Sequence, residues 1–277
     1  MKQILFPTTY TSLSKVAYRY AQKLAQYFET GITVAHVYPN VKTLAEGASK
    51  TAMEDLAEKQ WNDQLGKAKD FTNEMSAKQF GDIPLDYVVT DGDPAEELLD
   101  VQQQNDFDLV VMGMRRHSIG DKLFGNTTYK LIDQMKCPLL LVPPNTYYMG
   151  IKKIIYGTAF NLGDKEAIEY LLEWCLAFNA KLHLLHVHKQ DNKALATRKM
   201  EMLISDFREE HKGGIITTQL LEGKITPVME QYIDIGDTDI LAVHHRKEGF
   251  WQRIKEGSLT KVLAEGSEIP LLVLKSK

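Results

Sequence analysis

Two stretches of this chain hold residue types, at spacings, suited to gripping an anion. Val110-Val111-Met112-Gly113 is an apolar, strand-like run that opens into a basic loop, Arg115-Arg116-His117 with Lys122. The loop closes on Gly125-Asn126-Thr127-Thr128, where a helix should begin. A helix start offers unpaired N–H groups and partial positive charge, and glycine lets a ligand approach the backbone. The second stretch runs from Ile240-Leu241-Ala242-Val243 through His244-His245-Arg246-Lys247, with Arg253 and Lys255, to Gly257-Ser258. The cationic side chains of either loop can serve an anion or simply face water. Gly113 equally suits a turn at a strand end, and Asn126, Thr127 or Ser258 a helix N-cap without any phosphate.

Other chemistries have less to work with. His186 and His188 share a strand face and His244-His245 end another strand, but no cysteine or carboxylate joins them at a metal-ligand spacing. Neither Gly125-Asn126 nor Gly257-Ser258 has the Gly-x-Ser-x-Gly surroundings of a nucleophile elbow. Cys137 and Cys175 sit in separate apolar settings, which predicts packing roles and a reduced compartment.

The elements that position the loops come in two sets. Pro7 with Gly157 and His36 with His186 match at an offset of 150; Gly92 with Gly223 and Gly113 with His244 at 131; Gly125 with Gly257 and Pro138 with Pro270 at 132. The chain therefore reads as duplicated, with 19 extra residues between the second and third strands of the first half and one residue missing between Gly113 and Gly125. Strands are expected near 3–7, 32–38, 85–90, 108–112 and 138–142, then near 153–157, 181–188, 215–221, 238–243 and 270–274. Leu13, Val16, Ala17, Tyr20, Ala21, Leu24 and Phe28 make a helical stripe over 12–29, matched by Ile168, Leu171, Leu172 and Cys175. A long charged helical stretch at 46–79 contains Trp61, and Pro143-Pro144-Asn145 marks the boundary. Alternating strands and helices predict an α/β fold.

With 277 residues, 44% hydrophobic and a net charge of -4, the chain has material for two modest cores and a balance that argues against nucleic acid as the main partner. The absence of a leader-like start and of a membrane-length apolar run predicts a cytoplasmic protein without membrane contact.

The Ile-Leu-Phe-Pro-Thr opening, the His-Val closing the second strand, Gly-Asp-Pro at 92–94 and the final Cys-Pro-Leu-Leu-Leu-Val and Ile-Pro-Leu-Leu-Val-Leu strands together resemble the universal stress proteins in their tandem two-domain form. The resemblance implies domains at 1–145 and 151–277. Each would be a five-stranded parallel sheet of order 3-2-1-4-5 flanked by helices, adenine nucleotide alpha hydrolase-like. It further implies ATP at the switch point beside strands one and four. Family members that bind nucleotide carry Gly-x2-Gly-x9-Gly-Ser/Thr. In the first half Gly113 fits the first glycine, Arg116 replaces the second, and Gly125 fits the third across the one-residue deletion, with Asn126 and Thr127 following. In the second half only Gly257-Ser258 survives. The family's acidic residue after the first strand is replaced by Thr9 and Ala159. Pro7, Thr8, Thr9, Val37, Arg115 and Arg116 complete the implied site in the first half; Gly157 and Val187 are the counterparts of Pro7 and Val37.

The resemblance also implies pairing through fifth strands, Leu139-Leu140-Leu141 against Leu271-Leu272-Val273, as an intrachain pseudo-dimer, with further homo-oligomers open. Three functions follow: a stress-response regulatory module holding ATP or another adenine nucleotide in its first half, a nucleotide-independent module that meets a protein partner, and a weak ATPase or adenylating enzyme. The third lacks its parts, because Thr8-Thr9-Tyr10 and Thr158-Ala159-Phe160 stand where adenylating relatives carry Ser-Gly-Gly, and no water-positioning base is evident. The expectation is a binding protein, not an enzyme.

Overall fold

The computed structural model describes residues 1–40, 49–76, 82–114, 125–224, 228–229, 232, 237–245 and 269–275. They fall into two compact units divided between Pro144 and Asn145. In the first unit the elements are β1 (Gln3–Pro7), α1 (Ser12–Tyr27), β2 (Gly31–Tyr38), α2 (Lys50–Met75), β3 (Leu85–Asp91), α3 (Pro94–Gln104), β4 (Leu109–Gly113), α4 (Asn126–Gln134) and β5 (Leu139–Val142). The second has β6 (Lys153–Gly157), α5 (Asp164–Phe178), β7 (Lys181–His188), α6 (Lys193–Ile204), α7 (Arg208–Lys212), β8 (Ile216–Glu222), β9 (Ile240–His244) and β10 (Leu271–Leu274). Every expected strand is present within two residues of its expected ends.

Each unit carries the 3-2-1-4-5 order, β3-β2-β1-β4-β5 in one and β8-β7-β6-β9-β10 in the other, with every neighbouring pair parallel. β4, β5 and β10 are buried at nearly every position and are almost unbroken apolar runs, as expected of a parallel sheet covered by helices. The repeat extends to hydrogen bonds. Asp108 Oδ2 accepts from the Lys2 and Gln3 amides, and Asp239 Oδ2 from those of Lys152 and Lys153 at 2.7 and 2.8 Å, pinning the first strand of each unit to the start of the fourth. Gly92 and Gly223, at φ of 146° and 141°, each donate 3.0 Å bonds to the last residue of the second strand, Tyr38 and His188. These left-handed positions favour glycine.

The insertion lies where the offsets put it: 46 residues separate Tyr38 from Leu85 and 27 separate His188 from Ile216, a difference of 19. It lengthens α2 to 26 residues. That helix also corrects the expected face of α1, which buries Ser14, Ala17, Tyr18, Tyr20, Ala21, Gln22, Leu24 and Ala25, while Leu13, Val16 and Phe28 are only half-buried. Phe71 of α2 packs on Tyr18 with ring centroids 5.4 Å apart, and Gln22 Nε2 donates to Met75 O at 3.2 Å. Ala17, Tyr20, Ala21 and Leu24 are buried as periodicity marks them, and a second neighbour widens the buried stripe towards Tyr18, Gln22 and Ala25.

Candidate functional site

In parallel sheets of this order the first and fourth strands end side by side. Ile4 pairs with Leu109 and Leu5 with Val110, so Pro7 and Gly113 leave the same edge of the first unit. Pro7 pairs with Ala35, and Val37 lies two residues further along β2, which puts Pro7, Ala35 and Val37 on one face. Beyond β1 the Thr8 amide continues the ladder to Ala35 O at 2.9 Å, and the Thr8 hydroxyl accepts from the Tyr10 amide at 3.0 Å. This short-range bond accompanies a left-handed Tyr10, φ 58°. The Tyr10 ring lies over His36 at 4.4 Å and its hydroxyl donates to Gln64 O of α2 at 3.2 Å. His36 Nδ1 stands 2.8 Å from Thr8 O; a carbonyl only accepts, so the proton is on Nδ1. Burial holds the His36 pKa below its usual value, against the opposing pull of the Thr8 carbonyl. Thr9 is exposed.

Gly113 has a packing reason to be glycine. A Cβ there would stand 2.5 Å from Cγ of Leu13, in the first turn of α1, and 3.0 and 3.2 Å from its two methyls. Gly125 has none: a Cβ would meet nothing within 4 Å, and its φ of -64° is open to any residue. Gly125 is itself the N-cap of α4, with no side-chain cap bond, and Asn126 and Thr127 are the first helical residues. The cap role considered for Asn126 and Thr127 is thus corrected. By contrast α1, α2 and α3 are capped by Thr11, Ser49 and Asp93. The first unit therefore brings Pro7, Thr8, Thr9, Val37 and Gly113 to one edge and starts α4 at a bare glycine. Arg115 and Arg116, the one-residue deletion, His117 and Lys122 lie outside the described residues, as do Arg246, Lys247, Arg253, Lys255, Gly257 and Ser258 of the second half.

The second unit repeats the loop with different contents. Phe160, φ 57°, lies over His186 at 4.1 Å, its amide donates to the Thr158 hydroxyl at 3.0 Å, and His186 Nδ1 donates to Thr158 O at 2.9 Å. The counterpart of Ser14, however, is Asp164, 1% exposed. Its carboxylate accepts from the Tyr156 hydroxyl at 2.7 Å, the Thr158 hydroxyl at 2.5 Å and the Asn161 amide at 2.8 Å. A buried charge is tolerated when its lone pairs are filled in this way, and here it clamps the loop from beneath. The Ser14 hydroxyl in the first unit makes two long contacts, accepting from Thr9 N at 3.3 Å and meeting the Thr11 hydroxyl at 3.4 Å. Packing is inverted too. A Cβ on Gly163, the counterpart of Leu13, would meet the His244 ring at 2.6 Å, so the large residue comes from the strand here and from the helix in the first unit.

The histidines considered for a metal take other roles. His186 holds Thr158 O, His188 Nδ1 donates to Lys189 O at 2.9 Å, and β6 separates β7 from β9. Among the described residues no group of three or more His, Cys, Asp or Glu could hold a metal ion.

A family model described as the universal stress protein family matches residues 1–143 and again 150–275. The chain belongs to that family. A universal stress protein of Methanocaldococcus jannaschii is 28% identical over 145 residues, 51% of this chain and 81% of the relative. A crystal structure of a universal stress protein from Archaeoglobus fulgidus superposes with a TM-score of 0.66 at 18% identity, covering 99% of this chain and 96% of that one. A Pseudomonas aeruginosa protein of unknown function does so at 0.62 and 15%, covering 99% and 92%. These likenesses carry the fold. This tandem universal stress protein thus has two switch points of one design, with the loop after β6 held by the buried Asp164 and the loop after β1 by the longer contacts of Ser14.

The residues that distinguish the two were not singled out from sequence. Tyr10 with Phe160 and Asp108 with Asp239 had a signal in the repeat, since Thr-x-aromatic recurs at offset 150 and the strand-pinning aspartate at 131, whereas Asp164, opposite Ser14, had none. The exchange of Leu13 and Gly113 for Gly163 and His244 had one as well, visible only when two distant positions are read together.

Proposed function

We propose that this universal stress protein is a cytoplasmic stress-response regulatory module whose first half holds an adenine nucleotide such as ATP and whose second half does not. The observation that carries the reading is the start of α4. Among the described residues nothing lies within 4 Å of a Cβ on Gly125, no side chain caps the helix, and the amides there have the polarity a phosphate needs. Pro7 and Val37 on one face supply apolar walls for a base. In the second half the Asp164 clamp and the His244 ring against Gly163 favour the alternative, a nucleotide-independent role in which the unit meets a protein partner. No turnover is proposed, since the loops after β1 and β6 offer hydroxyls, an aromatic ring and a tethered imidazole but no base beside an anion site.

The test is calorimetric titration with ATP and AMP, with and without Mg2+, of the full chain and of Gly125→Asp. The aspartate adds a helix cap and places a negative charge where the phosphate would lie, so it should keep or raise stability while removing binding. Heat with the parent and none with Gly125→Asp supports the reading. Silence with the parent, or equal affinity in both, overturns it. Gly113→Trp is unsuitable here, because it would collide with Leu13 whether or not a ligand binds.

A further inference from the structure

Half of α2 stands clear of the core. None of residues 51–63 is buried; after the Trp61 hydrogen bond to β3, Leu65 packs against Tyr38 and Val89, and Ala68 is the first fully buried residue. A helical stretch of this length is marginal in water on its own, so exposed turns carrying apolar groups gain from a partner. Asp55, Glu58 and Trp61 follow one another at three-residue spacing and form one ridge. Trp61 is 43% exposed, and its indole N–H donates to Val89 O at 3.1 Å, which fixes the ring in place instead of letting it fold away.

The equivalent helix of the second unit is its complement. On α6, Ala196 and Met200 face inward, while Leu195 and Met202, 54% and 66% exposed, stand two turns apart on the outer side with exposed Arg198 and Lys199 between them. From 51 to 63 α2 carries Glu54, Asp55, Glu58 and Asp63 against Lys59; α6 carries Lys193, Arg198 and Lys199 against Glu201. The two helices occupy the same place in the repeat, between the second and third strands of each unit, yet carry opposite charge.

We propose that α2 of one copy docks on α6 of a second copy of this chain, Asp55 and Glu58 facing Arg198 and Lys199, and Trp61 seated against Leu195 and Met202. Thioether and guanidinium groups both pack well on an indole face. One helix pair covers only part of the roughly 800 Å² per partner of a stable interface. A two-fold pair of copies makes the contact twice, because in a self-complementary dimer each partner supplies both surfaces. The acidic turns lie in the segment that the first unit has lengthened by 19 residues, so the asymmetry of the duplication gives the two equivalent helices opposite charge.

Sedimentation of the full chain over a concentration series tests this, with circular dichroism confirming that each variant is folded. The parent should dimerise. Asp55→Lys with Glu58→Lys, and separately Arg198→Glu with Lys199→Glu, should each raise the dimer dissociation constant on the order of tenfold, most at low salt. All four changes together should restore it to within about threefold, since the charges are then exchanged across the contact. A parent that stays monomeric at every concentration overturns the proposal. So does a dimer indifferent to both charge reversals, and so does a fourfold variant no better than either pair.

Discussion

Gly113→Ala is the sharpest perturbation of the first unit, because the site of the change and the obstacle are both fixed. The new methyl would be 2.5 Å from Leu13 Cγ and 3.0 and 3.2 Å from its methyls, against ordinary contacts of 3.4–4 Å. Rotating the Leu13 methyls does not relieve a clash at Cγ, which moves only with χ1 or with the first turn of α1. The strand cannot retreat either, as β4 is bonded to β1 on one side and β5 on the other. Overpacking of this kind costs about 1–3 kcal/mol. Leu13→Ala alone loses a half-buried side chain, about 1–2 kcal/mol, but it removes the obstructing atoms. Gly113→Ala in the Leu13→Ala background should then cost roughly 0.5 kcal/mol or less, a coupling of about 1–2 kcal/mol between the two positions. The mirror change, Gly163→Ala, meets the tip of the His244 ring at 2.6 and 2.8 Å, the far end of a side chain instead of a branch point, so it should be the milder of the two. The readout is urea dependence of hydrogen exchange in peptides from β1 and β4, compared with β6 and β9, which follows each unit separately. Additive effects of Leu13→Ala and Gly113→Ala, or a Gly163→Ala cost above that of Gly113→Ala, would refute the packing argument.

Asp164→Ala should destabilise the second unit by about 3 kcal/mol, because it leaves the Tyr156 and Thr158 hydroxyls and the Asn161 amide without their acceptor; Ser14→Ala, which loses two long contacts of 3.3 and 3.4 Å, should cost about 1 kcal/mol by the same exchange measurement. His183 is buried, its Nδ1 2.6 Å from the Thr217 hydroxyl and Nε2 2.5 Å from the Tyr232 hydroxyl, and burial with the nearby Lys153 lowers its pKa from 6.5 to about 4. The folded state thus resists protonation more than the unfolded chain does, so stability is complete above pH 6.5 and falls as the pH drops from there towards 4, by up to about 3 kcal/mol. His183→Gln should flatten the unfolding midpoint over that window, and an unchanged slope would contradict the assignment. Burial pushes the Cys175 thiol up to about 12, so at pH 8 it should react with a thiol reagent only after denaturant is added, and prompt labelling of the native chain would count against it.

Much of this architecture was legible in the amino acids alone. Strand positions, the duplication, the place of the insertion and the family follow from local signals: an apolar run of four or five β-branched or aliphatic residues bounded by turn residues suits an interior strand, and a helix needs its stripe within a few turns. Offsets of 150 and 131 add long-range information because both copies must solve the same folding problem, which is why Gly92 and Gly223 keep the same left-handed conformation. The tertiary structure decided what depends on partners far along the chain. Gly113 reads as a ligand glycine or a turn residue until Leu13, a hundred residues earlier, is seen against it, and α1 buries a wider face than its stripe because α2 leans on it. Asp164 reads as an ordinary acidic residue in the first turn of a helix, yet its carboxylate is enclosed by hydroxyls from the preceding strand and loop. Whether a polar or small residue serves packing, a clamp or a ligand is set by which atoms surround it, and that is fixed only when the chain has folded.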